Sequence, residues 1–138
     1  MECRNKEVCK KKHERWKEQQ QIHIPKGEKE HEEFLNYVQK VNYFLEIGDH
    51  SSKRQFERSI SSRDITDIIL NGWVIERSFY KSVQAVRLTI LGYTRTYRPI
   101  HVIVQIKSPN EWSVVTVYNP ESKAYKWDKS FQERICFC

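Results

Sequence analysis

Glycine and proline are both scarce here, with four of each in 138 residues. So few glycines leave little scope for a phosphate-cradling loop, and neither Gly-x-Ser-x-Gly nor His-Glu-x-x-His occurs. A nucleotide cofactor is therefore not expected. Long apolar runs are missing too. No stretch approaches the roughly 18 residues of a membrane span. The opening residues, Met1 to Lys6, lead into no hydrophobic segment of a secretory signal. The expectation is a cytosolic protein without membrane contact, its thiols reduced. Cysteine is absent from the whole middle of the chain and occurs only as Cys3, Cys9, Cys136 and Cys138. Zinc ligation by four thiolates, with His13 as an alternative ligand, is one reading. Cys-x-Cys is tighter than the usual ligand pair and the Cys3 to Cys9 spacing is wider. Free thiols on frayed ends are thus the preferred reading, and no cofactor is expected.

Charge, by contrast, is plentiful. Charged residues make up 30% of the chain against 38% hydrophobic, and the formal charge is +6 with a pI near 9.2. This describes one domain with a modest core under a charged surface. A basic balance favours polyanions such as RNA.

The order of patterns predicts an α+β protein. Residues 2–21 are almost wholly polar, with Trp16 as the one large anchor, and read as a surface helix or disordered arm. Pro25 and Gly27 are expected to end any helix there. Phe34, Leu35, Val38, Val41, Phe44 and Leu45 recur at spacings of three and four, predicting an amphipathic helix over residues 28–47. A second helix is expected from His50. A third, capped by Ser61 or Ser62 with Asp64 as a capping-box partner, buries Ile65, Ile68 and Ile69 and stops at Asn71-Gly72. The period then changes to two. Strands are expected at residues 73–80, 85–93, 100–107 and 112–118, forming a four-stranded antiparallel meander with the helices on one face. A short C-terminal helix is expected over residues 127–138. The division is an N-terminal helical extension, 1–47, and a domain, 48–138.

Alternation also sorts the sheet faces. With Val102 and Val104 toward the helices, His101 faces away, beside Thr116 and Tyr118 and near Arg87 and Thr89. The segment from His50 carries a second pattern. His50, Arg54 and Arg58 stand at i, i+4 and i+8, on one face if helical.

Taken in order, these segments resemble a known family. They are His-x3-Arg-x3-Arg over residues 50–58, the Ile-Ser-x-x-Asp-Ile start at Ile60, Asn71-Gly72, Val-Ile-Glu at 74–76, and Leu-Gly-Tyr-Thr at 91–94. Arg-Pro-Ile-His-Val at 98–102, Val-Thr-Val-Tyr-x-Pro at 115–120, and Trp127-Asp128 with Phe131 and Arg134 complete the order. The chain resembles, over roughly residues 48–135, the RelE-like family catalogued as a domain of unknown function and grouped with barnase, colicin and RelE-type ribonuclease toxins. It departs from that pattern at Ser59 and Tyr97, where glycine is common. The resemblance implies a RelE/barnase-like domain, metal-independent RNA cleavage, and a toxin-type role, either paired with an antitoxin or immunity protein or delivered as an effector. It says nothing of residues 1–47.

Cleavage by attack of a 2′-hydroxyl on the adjacent phosphate needs a base, an acid and cations for the phosphorane. His50 and His101 are the candidate acid–base pair. Arg54, Arg58 and Arg98 are candidate phosphate clamps, and Tyr118, with Thr116 beside it, would orient a phosphate or stack on a base. Arg58 pairing with Glu57 or Asp64 is a structural alternative. A non-catalytic module binding RNA or an acidic protein would use the same cations, whereas a zinc-stapled regulatory or structural protein would rest on Cys3, Cys9, Cys136 and Cys138 instead.

Overall fold

The computed structural model describes residues 2–48 and 60–138. Its elements are α1 (Lys6–Gln39), β1 (Phe44–Ile47), α2 (Ser62–Asn71), β2 (Trp73–Tyr80), β3 (Ala85–Tyr93), β4 (Pro99–Ser108) and β5 (Glu111–Tyr118), then a 3₁₀ segment, Pro120–Lys126. The fold is α+β. The sheet is not the expected four-stranded antiparallel one: it has five strands in the order β1-β5-β4-β3-β2, and β1 runs parallel to β5. The expected helix beginning at His50 lies outside the described residues.

Three expectations fail for identifiable reasons. First, α1 runs unbroken through Pro25 and Gly27. Contacts on either side hold it. The Gln20 side chain pairs with both backbone groups of Arg77 (3.0 and 3.1 Å), occupying the edge of β2. Glu30 pairs with the Arg77 guanidinium at 2.7 Å. Gly27 is a contact point, because a Cβ there would lie 3.0 Å from Leu88 Cδ2 and 3.1 Å from Val74 Cγ1. Packing overrides local propensity.

Second, the expected helix over residues 28–47 ends early. Val41 takes a left-handed conformation, φ 54°, a strained state for a β-branched residue. It turns the chain so that Phe44 N–H donates to Asn110 C=O (2.9 Å) and β1 begins. Third, the tail forms no helix. The Asp128 carboxylate accepts from Ser130 Oγ and the backbone N–H groups of Gln132 and Glu133, competing with a helix for those donors. Trp127 and Arg134 close the loop as an antiparallel bridge.

The capping box of α2 is present, with Ser61 and Asp64 exchanging hydrogen bonds. Gly72 ends that helix with an extended backbone. Its missing Cβ matters, since one there would collide with the carbonyl oxygens of Leu91 and Ile68.

The main core lies between the helices and one sheet face. Phe34, Ile65, Ile68 and Ile69 pack on Val74, Leu88, Ile90, Val102, Val104, Trp112 and Val117. His31 also belongs here, its Nε2 2.6 Å from Ile69 C=O. That carbonyl is in the last turn of α2, where it lacks a helical partner. The second face carries a smaller cluster, Ile75, Leu91 and Trp127, flanked by Tyr118 and Phe131. A bulge in β2 supplies Ile75 to it while pairing Glu76 with Thr89. Thus the tail covers part of the face that alternation left exposed.

Candidate functional site

Three side-chain groups carry chemistry. One is the buried His101 network. Strand pairing sets His101 against Tyr118 and Ile103 against Thr116, as the alternation of β4 and β5 requires. His101 is nevertheless fully buried. Its Nε2 lies 2.8 Å from Phe131 C=O, which can only accept, so Nε2 carries the proton. Nδ1 then accepts from the Tyr118 hydroxyl at 3.1 Å. Trp127 packs edge-on at 4.4 Å between ring centroids. Burial pushes the His101 pKa down to about 4 and that of Tyr118 up to about 12. Both imidazole nitrogens are occupied, so this arrangement leaves neither for a substrate.

Beside the network, Arg134 donates to both oxygens of Glu76 (3.0 and 3.1 Å), and Trp16 Nε1 donates to Oε2. The Arg134 guanidinium lies over the Trp127 ring at 4.6 Å. One carboxylate thereby joins α1, β2 and the tail. Arg87 and Thr89 are also taken up here. Thr89 is buried, and Arg87 donates to Gln105 (3.0 Å) and covers the Tyr80 ring at 4.3 Å.

A second group lines an open cleft of about 830 Å³. Its walls are the start of α2, the turn between β3 and β4, and the exit of β5. Arg63, Arg95 and Arg98 are the cations there, all exposed. None of them forms an ion pair among the described residues. The two carboxylates on the walls serve local ends: Asp64 caps α2 and Glu121 accepts from Asn119. The turn holds Tyr97 between two of the arginines, 86% exposed and left-handed at φ 61°. Its N–H donates to Thr94 C=O at 2.9 Å and Thr94 N–H to Arg98 C=O at 3.0 Å. The left-handed turn where glycine is common in the resembling family is therefore formed here with tyrosine.

Of the sequence-derived candidates among the described residues, only Arg98 lies on this cleft; His101, Thr116 and Tyr118 do not line it. His50, Arg54 and Arg58 lie outside the described residues. Sequence reasoning did not single out Arg63 or Arg95, and it met Tyr97 only as a departure from the family pattern. The signal available was Arg95-Thr96-Tyr97-Arg98 itself, an aromatic between arginines in a strand connection.

The third group is the cysteines. The sulfurs of Cys3, Cys9, Cys136 and Cys138 all lie within 4.8 Å of one another, so the chain's two ends meet. Four thiols in that space are able to hold a metal ion. His13 is not among these ligands. Its Nδ1 lies 2.7 Å from Arg134 C=O and its Nε2 3.7 Å from Glu133.

A family model described as "Domain of unknown function (DUF4258)" matches residues 47–119, just over half of the chain, and the chain belongs to that family. No curated protein and no solved structure matches it. The matched region runs from the last residue of β1 to just past β5. It contains the cleft arginines, Tyr97 and His101, and excludes α1 and all four cysteines. Among the described residues no helix is long and apolar enough to cross a membrane.

Proposed function

We propose that this member of the family is an RNA-binding domain whose phosphate-contacting surface is the cleft between α2 and the β3–β4 turn. The observation that carries this is the turn itself. Arg95 and Arg98 flank an exposed tyrosine held in a backbone conformation that disfavours large side chains. A structural turn would favour glycine at that position. Tyrosine there offers a ring on which a base can stack while the guanidiniums take phosphates. Arg63 adds a third cation from the opposite wall. Single-stranded RNA suits this open, sequence-tolerant surface.

Two substitutions test the reading. Tyr97→Gly should leave stability unchanged or raise it by up to about 1 kcal/mol, since glycine adopts φ > 0 freely. The same change should weaken binding of a labelled single-stranded RNA by about 5–150-fold, the range for one lost stacked base. Replacing Arg63, Arg95 and Arg98 together by glutamine should flatten the slope of log affinity against log salt by about two. RNA affinity and salt slope unchanged in both variants would reject the cleft as the binding surface.

Metal-independent RNA cleavage is a second reading, and with it the kinship to RelE- and barnase-type toxins. One observation favours it: the segment bearing His50, Arg54 and Arg58 rejoins the described chain at Ile60, on the cleft wall. His50 is then the residue to test. Labelled RNA incubated with the protein in buffer free of added divalent cations should be cut, and His50→Ala should abolish the cutting. Binding without any cleavage by the unaltered chain leaves the first reading alone.

A further inference from the structure

We infer that Cys3, Cys9, Cys136 and Cys138 bind one Zn²⁺ as a closed tetrathiolate site that fastens the C-terminal tail to the start of α1. The sulfurs form a ring rather than two pairs. Cys9 lies 3.9 Å from Cys136 and 3.5 Å from Cys138. Cys3 lies 4.0 Å from Cys138 and 2.6 Å from Cys136. At a Zn–S distance of about 2.3 Å, the vertices of a tetrahedron stand about 3.8 Å apart. Three of the four ring distances fall near that value. An ion at the centre would open the fourth by about 1 Å. Each sulfur lies within 4.8 Å of the other three, as a shared central ion requires and as separate disulfides do not.

The surroundings also suit thiolates. Phe137 N–H donates to Cys9 Sγ at 3.2 Å, and the Asn5 backbone donates to Cys3. Such outer hydrogen bonds orient ligands and stabilise charge on sulfur. Lys6 and Lys10, with Glu2, line the pocket beside the group, a net positive balance that partly offsets the negative charge of four thiolates around a divalent ion. Four protein ligands leave no open position, which marks a structural rather than a catalytic centre, and sulfur-only ligation selects zinc over hard cations.

Its mechanical role follows from where the tail goes. Between the bridge at Trp127 and the cysteines run Phe131, whose carbonyl holds His101, and Arg134, which holds Glu76. His13, one helical turn past Cys9, contacts the tail at Arg134. The ion would therefore lock the cover over the second sheet face. None of the four ligands lies in the region matched by the family model, so the staple is a device of this chain's two ends.

The test uses the full chain, purified with reductant and without chelator. Elemental analysis should find about one zinc per chain, falling below about 0.2 in Cys9→Ser and in Cys136→Ser. Because those variants could lose their fold, the unaltered chain is also stripped and reloaded with Co²⁺. Tetrahedral thiolate ligation should give intense visible d–d bands together with sulfur-to-cobalt charge transfer. Amide exchange at residues 131–138 should quicken on metal removal, while exchange in β4 changes little. A reduced chain with no metal, two disulfides, bound iron in place of zinc, or a cobalt spectrum lacking charge transfer would each overturn the proposal.

Discussion

Phe34→Ala should destabilise the protein by about 3–5 kcal/mol, the range for removing a large buried ring. Phe34 is fully buried and stacks on Trp112 with ring centroids 4.1 Å apart. Tyr43 meets it edge-on at 5.9 Å. Trp112 is itself fully buried and pairs in register with Leu45 of β1. Truncating Phe34 would thus open a cavity at the junction of α1, β1 and β5. Trp112 cannot fill it without leaving its place in β5. Urea unfolding of the variant beside Ile22→Ala, an exposed position on the same helix, is the measurement. The control should stay within about 0.5 kcal/mol. A Phe34→Ala effect as small as the control's would mean that α1 is an appendage with no share in the core. The same packing bears on the division at residue 47. The core takes Phe34 from one side of it and Ile65, Val102 and Trp112 from the other, so a chain cut to residues 48–138 should lose cooperative unfolding.

How legible the fold was depends on which face made the signal. The alternation of Ile100, Val102, Val104 and Ile106 marked β4, and its pairing with β3 and β5 followed from short connections. Ser61 and Asp64 marked the start of α2 correctly. The continuity of α1 was hidden because its buried stripe is Cys9, Gln20, Gly27, His31 and Phe34. That is one helical face in which only two residues are apolar. Its polar members are buried because they hold the edge of β2 and the end of α2, which no hydropathy pattern encodes. β1 was hidden by a short run whose apolar spacing imitates a helix, and by a valine taking a conformation that valine rarely takes. Period two correctly put His101 beside Tyr118 and Thr116. It carried no information on what lies over that face, and the tail lies there. The meeting of the four cysteines was hidden for a related reason. Rules for ligand pairs describe local knuckles, whereas here a 34-residue helix and a mixed sheet bring the two termini to one place.

Lowering the pH from 6.5 to about 4 should cost the protein about 3 kcal/mol through His101 alone. The direction follows from proton counting. The unfolded chain takes up a proton on this imidazole near pH 6.5, while the folded chain refuses it until about pH 4. Between those values the unfolded state binds more protons, so acid favours unfolding; the contribution is fully present above pH 6.5 and is lost as pH falls through the window. The cause is geometric. A proton added at Nδ1 would face the Tyr118 hydroxyl, which must then turn its own hydrogen away. The resulting charge would sit without water among Trp127, Leu91 and Phe131. Because carboxylates titrate in the same window, the informative quantity is a difference. His101→Gln should be less stable than the unaltered chain at pH 7.5, and the gap should shrink steadily toward pH 4. NMR titration of the His101 ring should show no protonation at pH 6. An imidazole titrating near 6.5 in the folded chain would mean that the tail does not seal it, and would restore His101 as a proton carrier for RNA cleavage. A ring silent down to pH 5 leaves such chemistry to the His50 segment and confines His101 to joining β4, β5 and the tail.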